Sequence, residues 1–236
     1  MADGGTQDGT DDAADDAAHG GAGGGASGAH SAARGGALAA ADGATHDRAD
    51  SGAHGAADGG AHGGGFRAGQ TALVVRVPEA DPAVGGWRER YDPSARAGVP
   101  AHVTVLVPFL DESRLDRATR ADLAALLAGR PAFDVAFRRC DRFPGVLYLV
   151  PEPDGPLAEL TVAVAARWPE APPYGGRFAG VVPHLTVADG QDDAVLADVE
   201  AALAARLPVA SRVRAVDLMA FDGTRWHLRE SFPLGR

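Results

Sequence analysis

The sequence predicts an α+β fold of two pseudo-symmetric lobes, each an antiparallel sheet with helices on its outer face, and an active-site groove between them. Three observations carry that expectation. Short runs of alternating apolar residues are bounded by Gly and Pro, amphipathic helical segments separate the runs, and the order of elements repeats once at an offset of 82 residues.

In chain order, "TALVVRVP" from Thr71 reads as a strand and "DPAVGGWRERYD" as a short helix. A Pro/Gly-rich loop leads into "VPAHVTVLVPF", a second strand. "DRATRADLAALLAGR" puts Leu123, Leu126 and Leu127 on one face of a helix stopped by Gly129 and Pro131. "FDVAFRRCDRF" and "GVLYLVPEP" are strands joined by a turn at Pro144 and Gly145.

The second half restates the series. "GPLAELTVAVAARWP" is helical, "PPYGGRFAGVV" is a loop and "PHLTVADG" is a strand. The helix "DDAVLADVEAALAAR", with Val195, Val199 and Leu203 at helical spacing, precedes strands "SRVRAVDLMAF" and "TRWHLRESFPL", which are joined by a Gly-containing turn. The unit is too long for a solenoid and its copies are too few for a propeller. Two lobes about a pseudo-two-fold axis are the simplest packing, and that axis brings equivalent strands face to face across a groove.

Residues 1–69 are mostly Gly, Ala, Asp and His, with Leu38 and Phe66 but no Val, Ile, Tyr or Trp. Such a segment cannot bury enough apolar surface to offset chain entropy, so a disordered tail is expected, with the folded domain at 70–236. Ten Asp against three Arg place about −7 of the net −10 charge in the tail and leave about −3 on the folded part. A mildly acidic domain argues against non-specific grip on a polyanion but leaves room for a local phosphate pocket. Lys is absent and all 22 basic residues are Arg, the bias of a GC-rich genome.

Cys140 is the only cysteine, which excludes an intramolecular disulfide and a Cys-based zinc cage and suits a reducing compartment. The acidic N-terminus has no apolar core, and no run approaches the ~18 apolar residues of a membrane span, so a cytoplasmic protein without a membrane partner is expected. The tail histidines His19, His30, His46, His54 and His62 lack the spacing of a closed metal site and read as part of a biased spacer.

The chemistry lies in two matching strands, "AHVTVLVPF" and "PHLTVADG". Residues two apart on a strand share a face. His102 and Thr104 therefore project together with Val103, Val105 and Val107 behind them, and His184 and Thr186 project together with Leu185 and Val187 behind. Three His and six Thr in residues 71–236 would give about 0.1 His-x-Thr triplets by shuffling, yet two occur at equivalent places in the repeat. Two imidazoles with ordinary pKa values near ~6.5 supply one base and one acid at neutral pH. That is what exchanging one oxygen for another at phosphorus requires, while threonine hydroxyls donate to the non-bridging oxygens. No metal or other cofactor is called for.

The paired "H-[VL]-T-V" strands resemble those of the 2H phosphoesterase superfamily, in its 2′-5′ RNA ligase-like branch of RNA 2′,3′-cyclic phosphodiesterases. "YDPSARAGVPAHVTVLVPF", "FPGVLYLVPEP", "PPYGG", "VVPHLTVADG" and "WHLRESFPLG" are similar to a bacterial subgroup of that family over residues 70–236. The resemblance implies metal-independent opening of a 2′,3′-cyclic phosphate to a 2′-phosphate, with reverse 2′-5′ ligation as a weak activity. It implies His184 as the base, His102 as the acid for the departing O3′, and Thr104 and Thr186 as phosphate clamps. RNA ends or small nucleotides are the expected partners and a monomer the expected state.

In the repeat alignment Tyr148 falls opposite His227, and it is a candidate to stack on a base or bond phosphate. Trp87 and Trp226 are candidate base platforms, and Arg138, Arg139, Arg142 and Arg225 are candidate cations for the phosphate. Two other functions fit the same residues: a zinc hydrolase held by His102, His184 and His227, and a non-catalytic module that binds RNA ends.

Overall fold

The computed structural model describes residues 65–177 and 180–236. The expected tail falls outside the described residues apart from Gly65 to Gly69, where Phe66 already packs on Phe221 and Trp226. The chain runs β1 (Thr71–Arg76), α1 (Asp81–Tyr91), α2 (Pro93–Arg96), β2 (His102–Leu106), α3 (Arg117–Ala128), β3 (Phe133–Phe143) and β4 (Val146–Glu152). It continues through α4 (Gly155–Arg167), β5 (Leu185–Asp189), α5 (Asp193–Ala204), β6 (Val209–Val213), β7 (Ala215–Phe221) and β8 (Trp226–Pro233). Among the described residues no helix is long and apolar enough to cross a membrane.

The strands form two antiparallel sheets of four, ordered β2-β1-β7-β8 and β5-β4-β3-β6. The lobes are therefore not the two halves of the sequence. The β3–β4 hairpin, which follows the first His-x-Thr strand, joins the sheet of the second, while β7 and β8 return to the sheet of the first. Helices cross over too: α3 and α4 pack on the first sheet, α1 and α5 on the second. One apolar core runs through both lobes. A smaller cluster of Ala72, Val74, Val99, Met219, Phe221 and Trp226 covers the other face of the first sheet.

"SRVRAVDLMAF" is two strands in different sheets rather than one. Val209 and Val213 face the main core from β6, whereas Val216 and Leu218 face it from β7, so the apolar phase slips by one residue at Arg214. A slip of one in a period-two pattern reverses the buried face, and here the chain changes sheets instead. Helices α3 and α5 begin alike, with Asp116 accepting from the Thr119 N–H at 2.7 Å and Asp192 from the Val195 N–H at 2.9 Å.

Both His-x-Thr strands lie at sheet edges and approach one another. Each carries a bulge immediately after its threonine: Val74 pairs with Thr104 and Leu73 with Leu106, and likewise Tyr148 pairs with Thr186 and Leu147 with Ala188. Bulges bend a strand and re-aim its side chains, so the repeat preserves a local kink as well as two residue types. Val107, expected behind the imidazole with Val103 and Val105, lies past the end of β2 and packs with the smaller cluster.

Helices cover these edges with polar side chains. Thr161 of α4, 2 % exposed, donates to the Val105 carbonyl at 2.8 Å. Thr161→Val is expected to cost about 1 kcal/mol by leaving that carbonyl unpaired, seen as a lower urea midpoint at unchanged slope.

Candidate active site

His102 opens β2 and His184 immediately precedes β5, so each imidazole sits where its strand begins. In both, Nδ1 lies 2.8 Å from the carbonyl oxygen two residues back, Pro100 for His102 and Val182 for His184. A carbonyl only accepts, so Nδ1 carries the hydrogen, and Nε2 is the ring nitrogen whose lone pair can take a proton. His102, Thr104, His184 and Thr186 line one cavity, two from each His-x-Thr motif.

Behind them lies a buried ion pair that sequence reasoning missed. Arg88 of α1 is 2 % exposed and donates to Asp92 Oδ2 through Nε at 3.0 Å and a terminal nitrogen at 2.8 Å. Its Nε also reaches the Thr186 carbonyl at 3.1 Å, so α1 holds the second His-x-Thr strand as Thr161 holds the first. Asp92 Oδ1 in turn accepts from the Ser94 amide and hydroxyl, both at 2.8 Å. The signal for Arg88 was positional: it follows Val84 by four residues and precedes Tyr91 by three, on the apolar stripe of its helix.

Burial beside the imidazole, helped by the Arg88 charge, lowers the His102 pKa to about 4 against the opposing pull of Pro100 and Asp92. His102 is thus neutral at pH 7, its Nε2 a proton acceptor.

The 3-10 turn Pro173–Gly176 brings Tyr174 to the cavity. Tyr174 has φ 52, rare for a residue with a Cβ, and its amide is tied to the Val107 carbonyl at 2.7 Å. Burial pushes its hydroxyl up to about 12, so it stays protonated and can donate. Arg177 follows, an exposed guanidinium that also lines the cavity.

The remaining sequence candidates separate. Tyr148 is not among the cavity-lining residues; its buried ring stacks on Phe143 at 4.4 Å and lies 5.3 Å from the His184 ring. Phe143 meets His184 edge-on at 5.3 Å, so two aromatic rings fix that imidazole. Register makes Val74, not His227, the counterpart of Tyr148, since each pairs with the threonine of its motif. His227 instead bonds Asp222 at 2.7 Å, so His102, His184 and His227 do not assemble into a zinc site. Among the described residues no cluster of three metal-ligating side chains occurs.

Trp226 lines the cavity, while Trp87 stacks on Tyr91 against the core. Arg138, Arg139 and Arg142 are engaged by Glu152, Asp141 and Glu200. Arg225 does not line the cavity, where the exposed cation is Arg177.

Two interleaved antiparallel sheets with a His-x-Thr pair on each side of one cleft define a 2H phosphoesterase. The family model described as the 2′-5′ RNA ligase superfamily matches residues 77–225, and the chain belongs to that family. Among solved structures, Escherichia coli LigT complexed with 3′-AMP is similar at 17 % identity and a TM-score of 0.49, over 72 % of this chain and 100 % of that one. TT0787 of Thermus thermophilus is similar at 20 % identity and a TM-score of 0.49, over 71 % of this chain and 99 % of that one. No curated protein matches the chain.

Proposed function

We propose that the protein is a metal-independent phosphodiesterase that opens the 2′,3′-cyclic phosphate of an RNA end or small nucleotide to a 2′-phosphate, with 2′-5′ ligation as the reverse reaction. The observation that carries this reading is the convergence on one cavity of two His-x-Thr pairs whose Nδ1 atoms are both occupied. Nε2 of one ring takes the proton of the attacking water, the water oxygen bonds to phosphorus, and the P–O3′ bond breaks. Nε2 of the other ring gives O3′ its proton. Thr104 and Thr186 donate to the non-bridging oxygens, Arg177 offsets their charge, and side chains alone supply every proton and counter-charge. Both motifs come from one chain, so a monomer carries a complete site.

The low pKa of His102 supports this residue as the base and His184 as the acid, the reverse of the assignment that the resemblance implied. The kcat/KM profile reports groups of the free enzyme. A required neutral His102 makes kcat/KM rise through about pH 4 and level off above it; a required protonated His102 makes kcat/KM fall above about 4. Rates measured from below about pH 4 up to neutrality distinguish the two.

The activity itself is tested by phosphorus NMR of an oligonucleotide ending in a 2′,3′-cyclic phosphate, with chelator present. Conversion to the 2′-phosphate is expected. Tight binding without turnover would instead make the protein an RNA-end binding module.

A further inference from the structure

The two His-x-Thr strands belong to different sheets, so no ladder of backbone hydrogen bonds sets the gap between them. That gap matters, because in-line exchange at phosphorus needs one imidazole beside the entering oxygen and the other beside the leaving oxygen. Helix α1 stands where it can be fixed. The helix packs on β5 of the second sheet, while the chain leaving it runs through α2 into β2 of the first.

Arg88 occupies that position. Its Nε hydrogen is shared between Asp92 Oδ2 at 3.0 Å and the Thr186 carbonyl at 3.1 Å. One terminal nitrogen donates to the Val99 carbonyl at 3.3 Å, the other to Asp92 Oδ2 at 2.8 Å and the Ser94 hydroxyl at 3.3 Å. Thr186 is the threonine of the second motif. Val99 adjoins Pro100, whose carbonyl accepts from His102 Nδ1 at 2.8 Å. A single guanidinium, 2 % exposed, thus bonds the backbone on both sides of the gap. The two carbonyl contacts go beyond what neutralising Asp92 requires, and a planar fork fixes their directions as a lysine ammonium does not.

We propose that Arg88 is the spacer of the active site: its fork holds the two His-x-Thr motifs at the separation that suits a five-coordinate phosphorus rather than the tetrahedral ground state. This rests on the phosphodiesterase reading and names the group that sets its geometry. Arg88 does not line the cavity, so it is a positioning residue that acts through Thr186 on one side and the Val99–Pro100 segment on the other. At the far end of β2 the Tyr174 amide, from the loop that leads to the second motif, bonds the Val107 carbonyl at 2.7 Å. The end that carries His102 is tied by Arg88.

Arg88→Lys keeps the positive charge beside Asp92 and His102 but gives up the fork, so it separates spacing from charge. Calorimetry on the full chain compares inorganic phosphate, which stays tetrahedral, with inorganic vanadate, which takes a fifth oxygen readily. The wild type is expected to bind vanadate about 100-fold more tightly, the low end for a transition-state analogue. Arg88→Lys should leave phosphate affinity within about threefold of the wild type and lower the preference for vanadate about 10-fold or more, since a misplacement of about 1 Å is felt mainly in the reacting geometry. With a cyclic-phosphate substrate, kcat should fall by a similar factor at nearly unchanged KM. Ser94→Ala, at a half-buried residue, removes one contact of the fork; it should lower the preference less and serves if the lysine variant fails to fold. Equal weakening of both anions, or a preference kept in both variants, would overturn the spacer and leave the hydrolase reading standing. Equal binding of the two anions by the wild type would sink that reading and the spacer with it.

Discussion

His184→Ala is expected to lower kcat toward a cyclic-phosphate substrate by a factor on the order of 10² to 10⁴, and His102→Ala by a similar factor. The rings work as one relay, so the double variant should fall little below either single one. Neither change should disturb the fold, because both rings are half-buried at the cavity, where each bonds a local carbonyl and His184 also meets the rings of Phe143 and Tyr148. Circular dichroism and the denaturant midpoint check this beside the rates. A His184→Ala enzyme within tenfold of the wild type would rule the relay out. Thr186→Val should lie between, since it removes a donor to the phosphoryl oxygens and leaves both proton transfers.

The second large effect is on stability. Arg88→Met is expected to cost about 3–5 kcal/mol, because it leaves the 2 % exposed Asp92 without its counter-charge and takes hydrogen bonds from the Thr186 and Val99 carbonyls. Asp92 keeps only the Ser94 donors. Adding Asp92→Leu should restore much of the loss, since replacing a whole buried pair with apolar groups is far less costly than halving it. Arg88 is a positioning residue, and a catalytic readout separates this from bulk stability. Removing its positive charge should move the acid limb of kcat/KM above about pH 4, as His102 becomes easier to protonate. An unchanged limb together with a loss of about 3–5 kcal/mol would make the pair purely structural.

Much of the site was legible because the motif is local. His-x-Thr on a strand fixes which side chains share a face, and its recurrence in the repeat marked both copies. Arg88 was legible in principle, as a charge on the apolar stripe of α1. Tyr148 was singled out by alignment with β8, but pairing places it behind His184 instead, in a role that one sequence does not distinguish from substrate contact. "PPYGG" was marked by resemblance but with no role for Tyr174, and Arg177 was not singled out, because a turn with positive φ at Tyr174, Gly175 and Gly176 carries them to the cavity from a loop.

The sequence by itself determined the kind and order of most elements and the faces of the two His-x-Thr strands. These follow from periods of two and about 3.6 residues, which the chain expresses over a few neighbours. The division of "SRVRAVDLMAF" into β6 and β7 at Arg214 came from the structure. Only the tertiary structure decided that β3 and β4 join the second motif's sheet while β7 and β8 join the first's. Strand edges offer the same backbone donors and acceptors whatever their side chains, so the choice of partner rests on how helices and sheets jointly close the core. That choice sets the two edge strands side by side, and with them the two imidazoles on one cavity.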